Sequence, residues 1–450
     1  MEKRALNLIE KREKALKISI KEGSASGFSM TLGDTYITPF ALALKGSAFH
    51  IGILNAIIGL LSPIAQFFGS ELMEKYNRKK IALNSTLFQA IIWIPIAILG
   101  YLFITGAFQK YLIAFLIILY SLLAIISGLA YPSWFSWMGD LVPKKSRGAY
   151  FSQRNKKIGI ISLVATFIGA IVLDVFKTRG LAALGFTVIF LLASSARLLS
   201  LIFLKKQYEP KRKLEKNYYF SIWAFIKRMD NFGKFSIFNA FFNFAIMIAS
   251  PFFAVYMLQE LNFSYITYTL TIISSSIFYI LFSPLAGKFS DKYGNKKLLY
   301  LSSILFSLNP LLWIFLKNPI ALILLPQLIV GLANAAFVIS VTNFTYDSVS
   351  PKHRGICVAY LNILTGCGIF LGSITGGILL KYLNISSINP FIIVFALAAL
   401  LRLSISLFFM AKIKEVKKVK KIPSTTINLI HPIKSIYSEI NWFRKISSDK

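Results

Sequence analysis

Apolar runs of about 20 residues, broken by short polar turns, recur along nearly the whole chain. On the length a helix needs to cross a ~30 Å hydrocarbon core, they predict twelve spans, near residues 20–44, 48–72, 81–105, 111–138, 152–174, 181–204, 233–259, 264–287, 298–316, 319–345, 356–382 and 388–411. The polar punctuation is asymmetric. The odd-numbered connections carry only Lys45, Lys110, Lys177, Arg179, Lys317 and Lys381, and Arg197 and Arg402 lie inside the sixth and twelfth segments. The other lysines and arginines sit at the termini and at or beside the even-numbered connections, which predicts that those loops and both termini face the cytoplasm.

The longest polar connection, 205–232, divides the chain nearly in half. The expected organisation is a cytoplasmic N-terminus (1–19), a six-helix bundle (20–204), a linker (205–232), a second six-helix bundle (233–411) and a basic tail (412–450). In that tail Lys412, Lys414, Lys417, Lys418, Lys420 and Lys421 form a polybasic run, and Ile433, Ile436, Ile440 and Phe443 recur at helical spacing. This fits either a short amphipathic helix on the anionic lipids of the inner leaflet or an unstructured tail.

Composition narrows the class further. The chain is 56% hydrophobic and 15% charged, unlike a soluble domain. Its net charge of +32 comes in bursts between apolar runs, so the basic excess belongs to the membrane and not to a nucleic-acid partner. Cys357 and Cys367 share one span about 15 Å apart along a helix, too far to bridge. No short apolar core with a small-residue cleavage site follows the charged N-terminus, so no signal peptide is expected. His50, His353 and His431 lie at or beyond helix ends and receive no role. No phosphate-cradling loop, metal-ligand spacing or nucleophile elbow is present, so neither an enzyme nor a cofactor or metal is expected.

The two halves repeat. Glu74-Lys75-Tyr76-Asn77-Arg78-Lys79-Lys80 matches Asp291-Lys292-Tyr293-Gly294-Asn295-Lys296-Lys297. At one offset of 207, Asp140, Arg147, Gly148, Asn155, Gly159 and Gly169 recur as Asp347, Arg354, Gly355, Asn362, Gly366 and Gly376, and Arg197 recurs as Arg402 after a shift of 205. Gly287, Asp291, Gly294, Lys296 and Lys297 form a Gly-x-x-x-Asp-x-x-Gly stretch followed by bases. In the other copy Ser70, Glu74 and Asn77 replace the first glycine, the aspartate and the turn glycine, mild changes, since Asn tolerates a left-handed turn and Ser permits close helix approach. With this doubled motif the chain resembles the major facilitator superfamily over residues ~17–411. The resemblance implies an all-α membrane protein of twelve transmembrane helices in two pseudosymmetric six-helix bundles. It also implies that Glu74, Arg78, Arg147, Asp291 and Arg354, with Asp140 and Asp347 as further partners, form a cytoplasmic gate. The bland reading of those charges is solvated residues that fix topology.

The first span is the least apolar. Gly23, Gly27, Thr31, Asp34 and Thr38 recur every three to four residues, a small and polar face that must line a cavity or another helix. Shifted by 212, Ser24, Gly27, Thr31, Thr38 and Pro39 align with Ser236, Asn239, Asn243, Ser250 and Pro251 of the seventh span, and Asp34 aligns with Ile246. Asp34 sits ~20 Å along its helix, where a carboxylate costs at least ~2.5 kcal/mol, so it is the candidate for proton or substrate coupling. A hydrogen-bonded brace or a permanently paired charge is the structural alternative, although no basic partner is evident nearby in sequence.

Asn55, Ser62 and Gln66 share a stripe with Gly59 on the second span, the fourth span offers Tyr131, Trp134 and Trp137, and the tenth offers Asn343 and Tyr346. The expected cavity lining is Thr31, Thr38, Asn55, Gln66, Tyr131, Trp134, Asn239, Asn243 and Asn343, with packing or interfacial anchoring as the alternative for the tryptophans. Gly368, Gly372 and Gly376 read as a close helix contact, and Arg197 and Arg402 as snorkelling or structural residues. The expected function is a secondary transporter in the plasma membrane that moves a small molecule by alternating access. Proton coupling, export of lipophilic or cationic compounds and a monomeric state complete that expectation. A uniporter, or a sensor or scaffold of the same fold, is the alternative.

Overall fold

The computed structural model describes residues 2–143, 147–210, 230–349, 354–383 and 389–417, apart from the side chains of 2–9, Glu74, 147–149, Ser152 and 354–356. The residues expected to form an amphipathic helix in the tail and most of the central linker lie outside the described residues. Every regular element described is helical. The first half comprises α1 (Glu2–Ala43), α2 (Ala48–Lys75), α3 (Arg78–Thr105), α4 (Leu112–Leu141), α5 (Arg147–Thr178) and α6 (Ala182–Lys206). The second comprises α7 (Asn231–Met247), α8 (Tyr265–Tyr293), α9 (Asn295–Phe315), α10 (Pro319–Ser348), α11 (Arg354–Tyr382) and α12 (Pro390–Lys412). Past Met247 the α7 span continues, broken, as a short helix (Phe252–Val255) and a π-turn (Tyr256–Glu260).

Eleven of these spans are long and apolar enough to cross a membrane. The twelfth long helix, α1, falls short because its small-polar face and charged beginning dilute its hydropathy. It starts at Glu2 and is continuous from the charged N-terminal stretch into the bundle. The turns use local chemistry. The side chains of Asn77, Asp230, Ser264, Asn318 and Asn389 accept hydrogen bonds from the first free amides of α3, α7, α8, α10 and α12. Asn77 therefore acts as an N-cap at φ −66° and not in a left-handed turn. Gly294, between α8 and α9, does take the left-handed region at φ 99°, where only glycine is unstrained.

Packing runs α5–α1–α6–α3–α4–α2 in the first half and α11–α7–α12–α9–α10–α8 in the second, and the halves meet through α2 with α11 and α5 with α8. The twelve helices thus close into one ring. Where α2 meets α11, Gly366 presses against the carbonyl of Gly59, which a Cβ there would approach to 2.5 Å. Gly368, Gly372 and Gly376 lie against the α7-span carbonyls of Ala240, Phe244 and Ile248.

The largest apolar cluster draws on both halves, with Leu32, Phe40, Phe186 and Phe190 beside Phe252, Tyr256 and Phe395, all at the end of the ring away from the termini. The clusters at the other end stay within one half: Ala15, Met138 and Leu141 in the first, Phe235, Phe242 and Phe344 in the second. The ring is therefore sealed at the end away from the termini. Among the described residues no apolar cluster bridges the halves at the terminal end.

Candidate functional site

Asp34 lies at the inner edge of the sealed part of α1, two residues after Leu32, and is exposed. Its Oδ1 accepts a hydrogen bond from the hydroxyl of Tyr120 at 2.9 Å. Tyr120 belongs to α4, which also touches α1 directly, so the contact lies inside the six-helix bundle of the first half. Asp34 consequently faces neighbouring helices of its own half and not lipid. A basic neighbour also exists: the guanidinium of Arg197, on α6, lies close enough to act electrostatically on the carboxylate.

Arg197 is buried and does not snorkel. Its Nε donates to Oε1 of Gln89 on α3 at 2.7 Å, and Nη1 donates to the hydroxyl of Ser26 on α1. These short polar side chains offer acceptors inside the bundle that outweigh a reach for the interface. Ser200, one turn further along α6, donates to Oε1 of Glu22 at 3.1 Å, and Oε2 of Glu22 pairs with Nη2 of Arg154 on α5 at 3.3 Å. The Arg154 guanidinium stacks 4.7 Å from the ring of Trp134. It fits because residue 23 is glycine, whose Cβ would lie 2.4 Å from Nη2. The first half thus holds a buried polar cluster that spans α1, α3, α5 and α6. Glu22 and Arg154 sit among the charges at span ends, where sequence reasoning treats them as interfacial, so neither stood out.

The second half copies the geometry without the charge. Arg402, fully buried on α12, donates to the backbone carbonyls of Ala245 and Ile246 on α7 and of Phe306 on α9. Its role is structural. Ile246 occupies the place of Asp34, and Phe306 that of Gln89.

The expected cavity residues separate into groups. Thr31 and Thr38 are half-buried on α1. Asn55 donates to the carbonyl of Ile51 in its own helix, and Gln66 is half-buried one turn before Ser70. Asn239 is buried and donates to Phe235, while half-buried Asn243 donates to Asn239. Tyr131 is exposed and stacks on Phe135. Trp134 is taken up by Arg154. Asn343 is not near Asp34: its Nδ2 donates to Ser290 at 3.1 Å, at the terminal end beside the repeated motif.

At that end, buried Arg78 pairs with Asp140 at 2.6 Å and with Glu209 at 3.3 Å, which ties the start of α3 to the end of α4 and to the segment after α6. In the matching position Asn295 donates to Asp347 at 2.8 Å, and Glu415, after α12, accepts from the amide of Lys296. Asp291 pairs with Lys417 at 2.9 Å. Each of these pairs joins elements of one half. The side chains of Glu74, Arg147 and Arg354 lie outside the described residues.

Several known proteins are similar to this chain. Over 158 residues it is 29% identical to the class B tetracycline resistance protein of Escherichia coli, covering 35% of this chain and 37% of that protein. Over 95 residues it is 27% identical to multidrug resistance protein 2 of Bacillus subtilis, covering 21% and 24%. Each match spans well under half of the relative. The crystal structure of the nucleoside transporter NupG superposes with a TM-score of 0.65 at 18% identity, over 90% of this chain and 99% of that one. A POT family transporter in complex with a thioalcohol conjugated peptide superposes with a TM-score of 0.66 at 15% identity, over 89% and 97%. These two likenesses are of fold. The family model described as Major Facilitator Superfamily matches residues 24–247 and 235–443, both halves of the ring, and the chain belongs to that superfamily.

Proposed function

We propose that this protein is a secondary active transporter that moves a small solute by alternating access, coupled to protons through Asp34. The observation that carries the reading is the exposed carboxylate of Asp34 inside a ring of helices sealed by apolar packing at one end, with no such cluster between the halves at the other among the described residues. A carboxylate so placed can meet protons and solute from the unsealed side, and a rocking of the halves would transfer it to the other. The basic end lies in the cytoplasm, following the distribution of lysine and arginine, and the protein works as a plasma-membrane monomer.

The substrate class we infer is a lipophilic cation. Asp34 is the exposed charge of the site, whereas Arg154 and Arg197, the bases described around it, are buried and already paired, so the site favours a cation over an anion. The tetracycline and multidrug resistance names of two relatives agree with export of such compounds. Glu74, Arg78, Asp140, Arg147, Asp291, Asp347 and Arg354 form the gate that closes the cytoplasmic end in the opposite state. Thr31, Thr38, Asn55, Gln66, Tyr131, Trp134, Asn239, Asn243 and Asn343 border the solute path, Asn343 at its mouth.

The test uses purified wild-type protein and Asp34→Asn in vesicles with an acid interior, and follows luminal pH while tetraphenylphosphonium, sugars, amino acids or organic anions are added in turn. Proton efflux triggered by tetraphenylphosphonium and lost in Asp34→Asn supports the proposal. Silence with every compound, from protein that elutes as a single folded species, overturns it.

A further inference from the structure

In an α-helix the carbonyl of residue i accepts from the amide of residue i+4, and a proline at i+4 has no amide to offer. Several helices here contain such prolines, and three of the orphaned carbonyls find side-chain donors. Pro310 orphans Phe306, and Nη1 of Arg402 donates to that carbonyl at 2.8 Å. Pro326 orphans Leu322, and Nε2 of Gln327 donates at 3.5 Å. Both answers come from the same half as the carbonyl.

The third case differs. Pro39 orphans the carbonyl of Thr35, the residue after Asp34, and the donor is the hydroxyl of Tyr268 on α8, in the opposite half, at 3.4 Å. A reciprocal contact lies beside it: the hydroxyl of Tyr36 on α1 is 3.3 Å from that of Thr269 on α8, and donates to the carbonyl of Thr166 on α5. Tyr36 and Tyr268 are both buried. Tyr36 keeps its α5 acceptor if the halves part at the sealed end. Tyr268 does not, and the Thr35 carbonyl loses its donor with it.

We propose that Tyr268 is a positioning residue that clasps the proline-freed carbonyl of Thr35, holding the sealed end shut and fixing the α1 turn that presents Asp34. The clasp rests on the alternating-access reading, since it works only if the sealed end opens in turn. Its energetics follow from Pro39: opening costs more than one hydrogen bond between surfaces, because the backbone carbonyl left behind has no partner within its own helix.

The experiment reads opening directly and needs neither substrate nor proton gradient. With Cys357 and Cys367 replaced by serine, Ser373→Cys places a reporter that is buried in the α2–α11 seam opposite Gly52. Its labelling by a membrane-impermeant maleimide is timed in vesicles for Tyr268→Phe, Pro39→Ala and the double variant. Tyr268→Phe keeps the ring and removes only the hydroxyl, and it raises the labelling rate about fivefold, the population shift that one net hydrogen bond represents. Pro39→Ala supplies an amide for Thr35 and also raises the rate. On that background Tyr268→Phe adds less than about twofold, because the carbonyl is no longer orphaned on opening. Unchanged labelling in both single variants overturns the clasp, as does an equal effect of Tyr268→Phe with and without Pro39. Either result stands apart from the vesicle assay of Asp34, whose failure would count against coupled transport whatever the seam does.

Discussion

Nη1 of Arg402 donates to the carbonyl of Phe306 across 2.8 Å, the carbonyl that Pro310 deprives of its partner. The same guanidinium serves Ala245 and Ile246 just before the α7 span breaks ahead of Pro251. Arg197, its counterpart, reaches side chains instead, on Gln89 and Ser26. One arginine therefore holds backbone carbonyls, one of them freed by a proline, and the other belongs to a polar network around the candidate coupling carboxylate. The repeat preserved the arginine and divided its work.

Arg402→Met takes that donor from three buried carbonyls, of which Ile246 keeps backbone amides, so at ~1–3 kcal/mol for each carbonyl left unpaired the variant loses on the order of 2 kcal/mol or more. Chemical denaturation in detergent measures the loss. Pro310→Ala in the same chain returns an amide to Phe306 and recovers about 1 kcal/mol. Arg197→Met destabilises less than Arg402→Met, because Gln89 and Ser26 are side chains that can rotate towards other partners. No recovery on Pro310→Ala would mean that Arg402 acts through packing alone.

The helices and the repeat were legible in the sequence because apolar length and the distribution of basic residues are one-dimensional signals. That Asp34 turns away from lipid was legible for a related reason: a mid-span carboxylate is too costly to face hydrocarbon. Its surroundings were not. Tyr120, Arg197 and Asp34 come from three helices, and only the order of packing around the ring brings them together. Glu22 and Arg154 were hidden by neighbours such as Lys21 and Lys157, which give each the look of an interfacial charge. The depth of Asn343, one turn before Asp347 at the terminal end, was likewise not legible from its place in an apolar span.

Asp34→Asn removes the charge and keeps the shape, so a lipophilic cation loses its counter-charge. Binding of tetraphenylphosphonium, followed by equilibrium dialysis, weakens at least about tenfold, as expected for loss of a charge-assisted contact. Tyr120→Phe leaves the carboxylate without its bridge to α4 and weakens binding by about fivefold or less, the effect of one hydrogen bond on orientation. Equal loss in the two variants would mean that Tyr120 contacts the solute itself.

Glu22 and Arg154 form an ion pair of two buried groups, and breaking it from either side strands a charge. Glu22→Gln and Arg154→Gln each destabilise by ~3–5 kcal/mol, whereas the double variant, with no stranded charge, loses less than the two together. The coupling energy from this cycle of unfolding measurements is expected to exceed about 1 kcal/mol. Additive effects would show that the two residues act independently, with Arg154 held chiefly by Trp134.

Two acid–base pairs at the terminal end differ in burial, and so should differ in weight. Lys417 and Asp291 are both solvent-exposed, and such pairs contribute ~0–1 kcal/mol, so Lys417→Ala shifts the unfolding midpoint little. Arg78 is buried while its partner Asp140 is half-exposed, and Arg78→Ala strands Asp140, Glu209 and Ser136 together, at about 2 kcal/mol or more. The pH dependence of the weaker pair has a defined sign. The hydrogen bond to Asp291 raises the Lys417 pKa above its ordinary 10.5. The contribution of the pair is therefore complete below pH 10.5 and is lost as pH rises through the raised value. Unfolding midpoints of wild type and Lys417→Ala, compared from pH 8 upward, should differ by a small constant amount and converge only above about pH 10.5. Convergence near neutrality would instead point to a carboxylate or histidine as the titrating group, and would remove Lys417 from the account of how the tail is held against α8.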